Sequence, residues 1–388
     1  MKKYRVAVIG TGYIGAVHIE QLMRLPNVVI AGIADKNAEL ASEAAQRYAV
    51  EKIYRDAAEV LADRTIDVIH NCTPNNLHYE INKQALEAGK EVFSEKPLTL
   101  SAKESAELAQ LADKHQTVTG INFCYRYYPV VQEAAVRIAK GELGTVYNIM
   151  GNYLQDWLLY PTDYSWRLDP KMAGASNIVG DLGSHWCDLA QFVSGLKIIE
   201  VMAELKTLLP VRKRPKSKET FTFSAASDIE YEEVKISMDE YGALLLRFDN
   251  GACGTFTTSQ LAAGRKCNID LQVYGSKGSL GWNHEHPAEL WLGHRDEPNQ
   301  IFFESPNLQS AETRRFARLP SGHPTGYMDA VLNLFREFYT TIELKEAGKK
   351  PDLHHPDFQA GHQEMLVLEA ATRSRKSGTW EKVTAANA

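Results

Sequence analysis

The sequence predicts an α/β protein of two parts, a doubly wound parallel sheet followed by an α+β domain with a mainly antiparallel sheet. Three observations carry this expectation. From Tyr4 to Asn122, near-continuous β-branched apolar runs alternate with amphipathic stretches, as parallel strands covered on both faces do. Past Pro129, strand-like segments follow one another with no helix between them, which points to antiparallel pairing. At 388 residues the chain also exceeds what one hydrophobic core ordinarily supports, so about two domains are expected.

In chain order, "YRVAVI" is the first strand and Ile14 to Arg24 the first helix; "VVIAGIA" and Asn37 to Tyr48 repeat the pattern. "DVIHNC", "EVFSE" and "TVTGIN" continue the sheet, with helices from Leu77 to Ala88 and Ala102 to His115 between them. A helix from Val130 to Lys140 leads through "GELG" into "TVYNIMGNYL". The later strands are "EVMAELKTLL", "EVKISMDEY", "ALLLRF", "CGTFTTSQL", "CNIDLQVYG", "GSLGWN" and "AELWLG", with turns at "DNGACG" and "GSKGS". Tyr327 to Glu346 and Pro356 to Ser377 read as helices that can pack back on either part. The expected domains are therefore 1–125 and 126–388, with no internal repeat.

Composition narrows the partners. A net charge of -6 gives no drive toward nucleic acid or an anionic membrane, and no stretch approaches the ~18 apolar residues of a membrane helix. Cys72, Cys124, Cys187, Cys253 and Cys267 are scattered and form no C-x-x-C pair, which suits a reducing compartment. The apolar run after "MKK" reaches glycine too soon for a secretory leader, so the expectation is a cytoplasmic protein. The one dense basic run, "RKRPKSK" from Arg212 to Lys218, is expected to be a solvated loop.

Four motifs bear chemistry. "VAVIGTGYIG" sets Gly10, Gly12 and Gly15 in a G-x-G-x-x-G between a strand and a helix, and the next strand ends at Asp35. That combination suits a dinucleotide, with Gly10, Gly12, Tyr13, Ile14 and Gly15 around the pyrophosphate and Asp35 on the adenosine ribose. The Asp35 carboxylate disfavours a 2′-phosphate and favours NAD, while Lys36 beside it leaves NADP open. "NCTPNNLHYE" puts Thr73, Pro74, Asn75 and His78 at the carboxyl edge of the sheet; His78 has a cofactor contact and a structural role as equal readings. "EVFSEKPLTL" ends a strand with Glu95 and Lys96 before a proline, and Asn122 ends the next, so all three face the cofactor edge. "GDLGSHWCDL" places Asp181 and His185 at i and i+4, on one face if helical, which by itself allows a metal site, an acid–base pair or a satisfied histidine.

With these motifs in this order, nearly the whole chain resembles the Gfo/Idh/MocA oxidoreductases, which include inositol dehydrogenases and glucose-fructose oxidoreductase. The resemblance implies an NAD(P)-binding Rossmann domain and a second domain with an open-faced sheet that forms subunit interfaces, hence a homodimer or homotetramer. It also implies that Lys96 is the active-site lysine, Asp181 the substrate-orienting aspartate and His185 the catalytic histidine. One departure stands out: the segment ahead of Asp181 reads "KMAGASNIVGD" where the family carries a glycine cluster.

The chemistry agrees. Oxidising a secondary alcohol needs a base for the hydroxyl proton, and histidine, with a pKa of about 6.5, suits that task. A Lys96 cation stabilises developing alkoxide. Tyr153, Trp157, Tyr164, Trp166 and Arg167 in "NYLQDWLLYPTDYSWRLD", with Arg126 in "CYRYYP", offer the aromatic faces and hydrogen-bonding groups that bind a sugar or cyclitol. Interdomain packing is the competing reading for that loop. His323 and Tyr327 in "SGHPTGYMDA" are weaker candidates. Metal catalysis lacks a ligand set, since no H-E-x-x-H or cysteine cluster completes Asp181 and His185. The leading expectation is an NAD(P)-dependent dehydrogenase of a sugar, sugar derivative or cyclitol. The alternatives are an NAD-dependent glycosidase working by transient oxidation and elimination, and a non-catalytic cofactor-binding regulator.

Overall fold

The structure is a computed structural model that describes residues 2–216, 230–349 and 355–385. It divides into two compact units, each built from two stretches of chain: Met1–Tyr127 with Gly326–Met365, and Tyr128–Thr325 with Leu366–Ala388. The expected contiguous domains, 1–125 and 126–388, differ from this because the late helices return to the first unit. Among the described residues no helix is long and apolar enough to cross a membrane.

The first unit carries six parallel strands: β1 (Tyr4–Ile9), β2 (Val28–Ala34), β3 (Ile53–Tyr54), β4 (Val68–Asn71), β5 (Glu91–Ser94) and β6 (Thr119–Ile121). Their order is β3-β2-β1-β4-β5-β6, so the direction of winding reverses between β1 and β4. Ligands of doubly wound sheets bind at that switch point, beyond the carboxyl ends of the strands. The connecting helices are α1 (Tyr13–Leu22), α2 (Ala38–Tyr48), α3 (Ala57–Ala62), α4 (His78–Glu87) and α5 (Ala102–His115). Local chemistry sets their starts: Asn37, Asp56 and Ser101 cap α2, α3 and α5 by accepting from backbone N–H groups. The sequence reading missed β3 and α3, since two paired residues and six helical ones are too short to show a period.

The second unit contains α6 (Pro129–Ala139), β7 (Val146–Leu154), α7 (Pro170–Ala173), α8 (Ser184–Ser194), β8 (Ile198–Lys206), β9 (Val211–Pro215) and β10 (Tyr231–Lys235). It continues with β11 (Tyr241–Phe248), β12 (Cys253–Ser259), β13 (Asn268–Gly275), β14 (Ser279–Asn283), β15 (Glu289–Gly293), β16 (Gln300–Phe303) and, at the end, β17 (Glu381–Lys382). Nine of these strands form one sheet in the order β16-β15-β14-β13-β7-β12-β11-β8-β17, with β7 and β12 parallel and the other neighbouring pairs antiparallel. Residues of β11 and β12 alternate buried and exposed, the signature of a sheet covered on one face only. On the covered face Trp186 of α8 stacks on Phe256 at 4.6 Å and donates to the Asp270 carbonyl at 2.8 Å. Gly151 makes room for it, because a Cβ there would lie 1.9 Å from that same carbonyl oxygen.

The last two helices are α9 (Tyr327–Glu346) in the first unit and α10 (Phe358–Ser377), through which the chain passes from the first unit to the second. Phe335 and Phe338 of α9 meet Phe93 of β5 edge to face at 4.9 and 5.2 Å, so α9 covers part of the parallel sheet.

The basic run is a correction. Ser217 and Lys218 lie outside the described residues, but Arg212 to Pro215 belongs to β9 and Arg212 is wholly buried. Its guanidinium pairs with Glu240 at 2.8 Å and donates to the Tyr160 and Asp163 carbonyls. A buried charge with that many acceptors is a clamp on the 160–163 turn, not a solvated loop.

Candidate active site

In the first unit the candidate residues gather at the carboxyl ends of β1, β2, β4, β5 and β6. Gly10 has φ +93, and a Cβ on it would lie 2.5 Å from the Cys72 carbonyl oxygen; a Cβ on Gly15 would lie 2.0 Å from Gly10 O. These two glycines bring the turn against β4 and α1 against the turn. Gly12, by contrast, has nothing within 4 Å of its Cβ position. That opening, at the start of a helix with no acid in its first turn, fits a dinucleotide phosphate. Tyr13 and Ile14 begin the helix, Tyr13 exposed and Ile14 half-buried.

Asp35 follows β2 and remains half-exposed. One oxygen accepts from the Thr11 N–H at 2.7 Å and its hydroxyl at 3.1 Å, the other from Asn37 N at 2.8 Å. It therefore holds the glycine turn while keeping acceptor capacity for a diol. Lys36 is exposed beside it. Thr73, Pro74 and Asn75 are half-buried in the turn after β4, where Thr73 donates to Asn71 at 2.7 Å.

Two expected cofactor contacts are corrected. His78 is fully buried, with Nδ1 2.7 Å from the Pro97 carbonyl and Nε2 2.8 Å from that of Thr73. Its ring ties the Thr73 turn to the Lys96–Pro97 turn and has no nitrogen left for a cofactor. Burial lowers its pKa. Glu95 also turns inward: His18 Nε2 lies 3.0 Å from Oε1, Asn122 Nδ2 donates to the same oxygen at 2.5 Å, and Lys96 N donates to Oε2 at 3.2 Å. Burial alone would push this carboxyl up, but the His18 and Asn122 hydrogen bonds and the nearby Lys96 charge hold it below its ordinary value. Asn122 keeps a buried Oδ1 with no donor among the described residues, and Lys96 is half-buried just past the end of β5. Arg126 is half-buried in the 3-10 turn Cys124–Tyr127.

A cavity of about 690 Å³ lined by Lys2, Tyr4, Lys90 and Glu91 opens at the amino ends of the strands, opposite to the glycine turn. It is not the cofactor cradle.

In the second unit the "GDLGSHWCDL" stretch is not one α-helix. Val179–Gly183 is π-helical, closed by Ser184 N–H to the Val179 carbonyl, and the α-helix begins at Ser184. The wider i-to-i+5 turn changes the helical step between Asp181 and His185 but leaves residues four apart on neighbouring positions of the helix surface. Asp181 accepts from Arg167 Nε and from Gln260 Nε2, each at 3.2 Å. Arg167 lies over the Trp166 ring at 4.6 Å, and Gln260 accepts from Asn177 at 2.6 Å. His185 is 8% exposed, with the Tyr153 ring 6.4 Å from its own. The Tyr153 hydroxyl accepts from Gln155 at 3.1 Å and sits 3.4 Å from Cys267 Sγ. Among the described residues, the acceptor oxygens Gln155 Oε1 and Asn177 Oδ1 are buried and unpaired.

The aromatic loop divides. Trp157 donates to the Lys266 carbonyl at 3.1 Å, whereas Tyr164 and Trp166 pack against Leu158, Leu168, Ala173, Ile236 and Met238. For the latter two, part of the surface serves a satellite core. His323 is exposed and Tyr327 half-buried. Asn177, Gln260, His18 and His70 were missed; nothing in a single sequence separates a buried amide or imidazole from a surface one when its partners lie far along the chain. Among the described residues no three His, Cys, Asp or Glu side chains converge as metal ligands.

A model described as the oxidoreductase family with an NAD-binding Rossmann fold matches residues 4–123, and one described as the GFO/IDH/MocA C-terminal domain matches residues 131–281. The chain is 30% identical to levoglucosan dehydrogenase of Pseudarthrobacter phenanthrenivorans over 99% of both proteins. It is 25% identical to myo-inositol 2-dehydrogenase of Thermotoga maritima over 71% of this chain and 74% of the other. It superposes on levoglucosan dehydrogenase in complex with NADH and L-sorbose with a TM-score of 0.88 and 28% identity, covering 99% of this chain and 100% of that one.

Proposed function

The chain belongs to the Gfo/Idh/MocA family of oxidoreductases, and on that premise we propose that it is an NAD-dependent dehydrogenase oxidising a secondary hydroxyl of a sugar, sugar derivative or cyclitol. NAD, when bound, supplies the hydride acceptor. The residues that hold it are the glycine turn from Gly10 to Gly15, Asp35 on the ribose, and Thr73 to Asn75 with Asn122 along the sheet edge.

Asp181 carries the assignment of roles. Both its oxygens already accept, from Arg167 and from Gln260, so it is placed to orient a hydroxyl and ill placed to take a proton. Proton exchange then falls to His185, whose ring nitrogens suit transfer near neutral pH. Lys96 stabilises the oxygen as charge develops on it. Tyr153, Trp157, Tyr164, Trp166, Arg167 and Arg126 supply ring faces and hydrogen bonds to the substrate.

The open face of the nine-stranded sheet supports a homo-oligomer. Met202, Leu245, Thr255, Met150, Gln272, Gly281, Trp291 and Ile301 are successive register partners in one row across eight strands. A row of that length with large apolar side chains at five positions, Met150, Leu245 and Ile301 among them exposed, is what a second copy would cover, as a dimer or tetramer. All five cysteines are thiols, in keeping with a cytoplasmic setting.

The test is a panel of anhydrosugars, aldoses, inositols and sugar acids with NAD and NADP, read by absorbance of the reduced nicotinamide. Turnover with at least one member and a preference for NAD is expected. Product release from a glycoside without net reduction would instead establish the glycosidase alternative, and no turnover anywhere would reject both.

A further inference from the structure

Four buried side chains, from α1, β4, α9 and the residue that follows β5, form one unbroken hydrogen-bonded chain. Tyr339 Oη lies 3.0 Å from His70 Nε2, His70 Nδ1 lies 2.9 Å from His18 Nδ1, and His18 Nε2 lies 3.0 Å from Glu95 Oε1. His18 and His70 are completely buried, Tyr339 is 1% exposed and Glu95 6%. The rings of Phe93 and Phe335 pack against both imidazoles. None of the groups has a direct part in the proposed chemistry.

The direction of the hydrogen bonds follows from its ends. A carboxylate only accepts, so His18 Nε2 carries a proton. Two proton inventories then remain. If His18 is neutral, its Nδ1 accepts from His70 Nδ1–H, His70 Nε2 accepts from the Tyr339 hydroxyl, and every donor points toward Glu95. If His18 carries a second proton, the two farther bonds reverse and His70 donates to Tyr339. The second arrangement puts a buried cation among phenylalanine rings, beside a carboxylate that already accepts from the Asn122 amide and the Lys96 N–H, and taking a further charge out of water is costly. Burial, and after it the charge a protonated His18 would carry, push His70 well below its ordinary pKa, in keeping with a neutral His70 ring in either inventory.

We infer that Tyr339, His70, His18 and Glu95 form a neutral, one-directional relay that fixes the Glu95 carboxylate against the Lys96 backbone, which makes His18 and Glu95 positioning residues for Lys96. Its catalytic part rests on the proposed role of Lys96; the bonding pattern does not. The Glu95 carboxylate receives the Lys96 N–H at 3.2 Å and the Asn122 amide on its other oxygen, so the strand end that carries Lys96 is held by a charge the relay keeps in place.

NMR of the full chain with isotopically labelled histidine, assigned with H18Q and H70N, reads the tautomers without any turnover. Expected are a proton on His18 Nε2 alone and on His70 Nδ1 alone. A doubly protonated His18, or a proton on His70 Nε2, overturns the inference. Y339F should leave both tautomers unchanged because the carboxylate end sets the direction. E95Q, whose amide both donates and accepts, should lose the single direction; an unchanged pattern in E95Q would overturn the relay. In turnover, E95Q should lose about 100-fold in kcat with the KM for NAD within about twofold, the behaviour of a displaced active-site group. Should K96A turn over normally while the tautomers are as expected, the role of Lys96 fails and the relay stands.

Discussion

At the residue scale, Lys96 and His185 are to be separated from their neighbours. K96A and H185A should each lower kcat by about 100-fold or more while NAD affinity, measured by nicotinamide fluorescence titration, changes little. Wild-type turnover in either variant would remove that residue from the chemistry. Glu95 supplies a second measurement, on stability. Its carboxyl is held below its ordinary value in the folded chain, so its contribution is complete above the unfolded pKa of about 4.3 and is lost as pH falls through the lower native value. E95Q should therefore show a shallower loss of unfolding free energy in acid than the wild type, followed by denaturant titration at several pH values. Equal slopes would mean that the carboxyl titrates alike in both states.

At the scale of elements, the glycine turn and β9 make opposite demands. G15A would set a methyl group 2.0 Å from the Gly10 carbonyl oxygen, so α1 must move away from its own turn. A stability loss of about 3 kcal/mol in chemical unfolding, with loss of NAD binding, is expected. In β9 the demand is electrostatic. E240A leaves the Arg212 guanidinium buried without its carboxylate and should cost about 3 kcal/mol or more, while an R212M/E240M double variant should recover much of it. Without the carboxylate that anchors it, the Arg212 guanidinium holds the Tyr160 and Asp163 carbonyls less firmly, so the KM for substrate should rise in E240A before kcat falls. The π-helical step at Val179–Gly183 belongs to this scale as well: it turns Asp181 toward Arg167 and Gln260.

For the whole molecule, the proposed assembly is tested at the outward row through Met150 and Leu245. L245E with M150E places two charges in that row; on the proposed assembly the wild type should sediment as a dimer or tetramer and this variant as a monomer, with the fold intact by circular dichroism, and an unchanged sedimentation coefficient would remove the row from the interface. Much of the architecture was legible beforehand. Continuous apolar runs with glycine and acid at their ends specify parallel strands and a nucleotide turn through neighbours in sequence, and β2, α5 and α9 have the residues the pattern marked. The sequence by itself determined the two-part α/β character, the glycine cradle with Asp35, and the identity of the lysine, aspartate and histidine to be tested. Only the tertiary structure decided what each polar group meets. Asp181 with Gln260, Arg212 with Glu240 and His18 with Glu95 are separated by 79, 28 and 77 residues. Periodicity reports which face of an element is buried, while pairing across such separations depends on how elements pack, which no local pattern encodes.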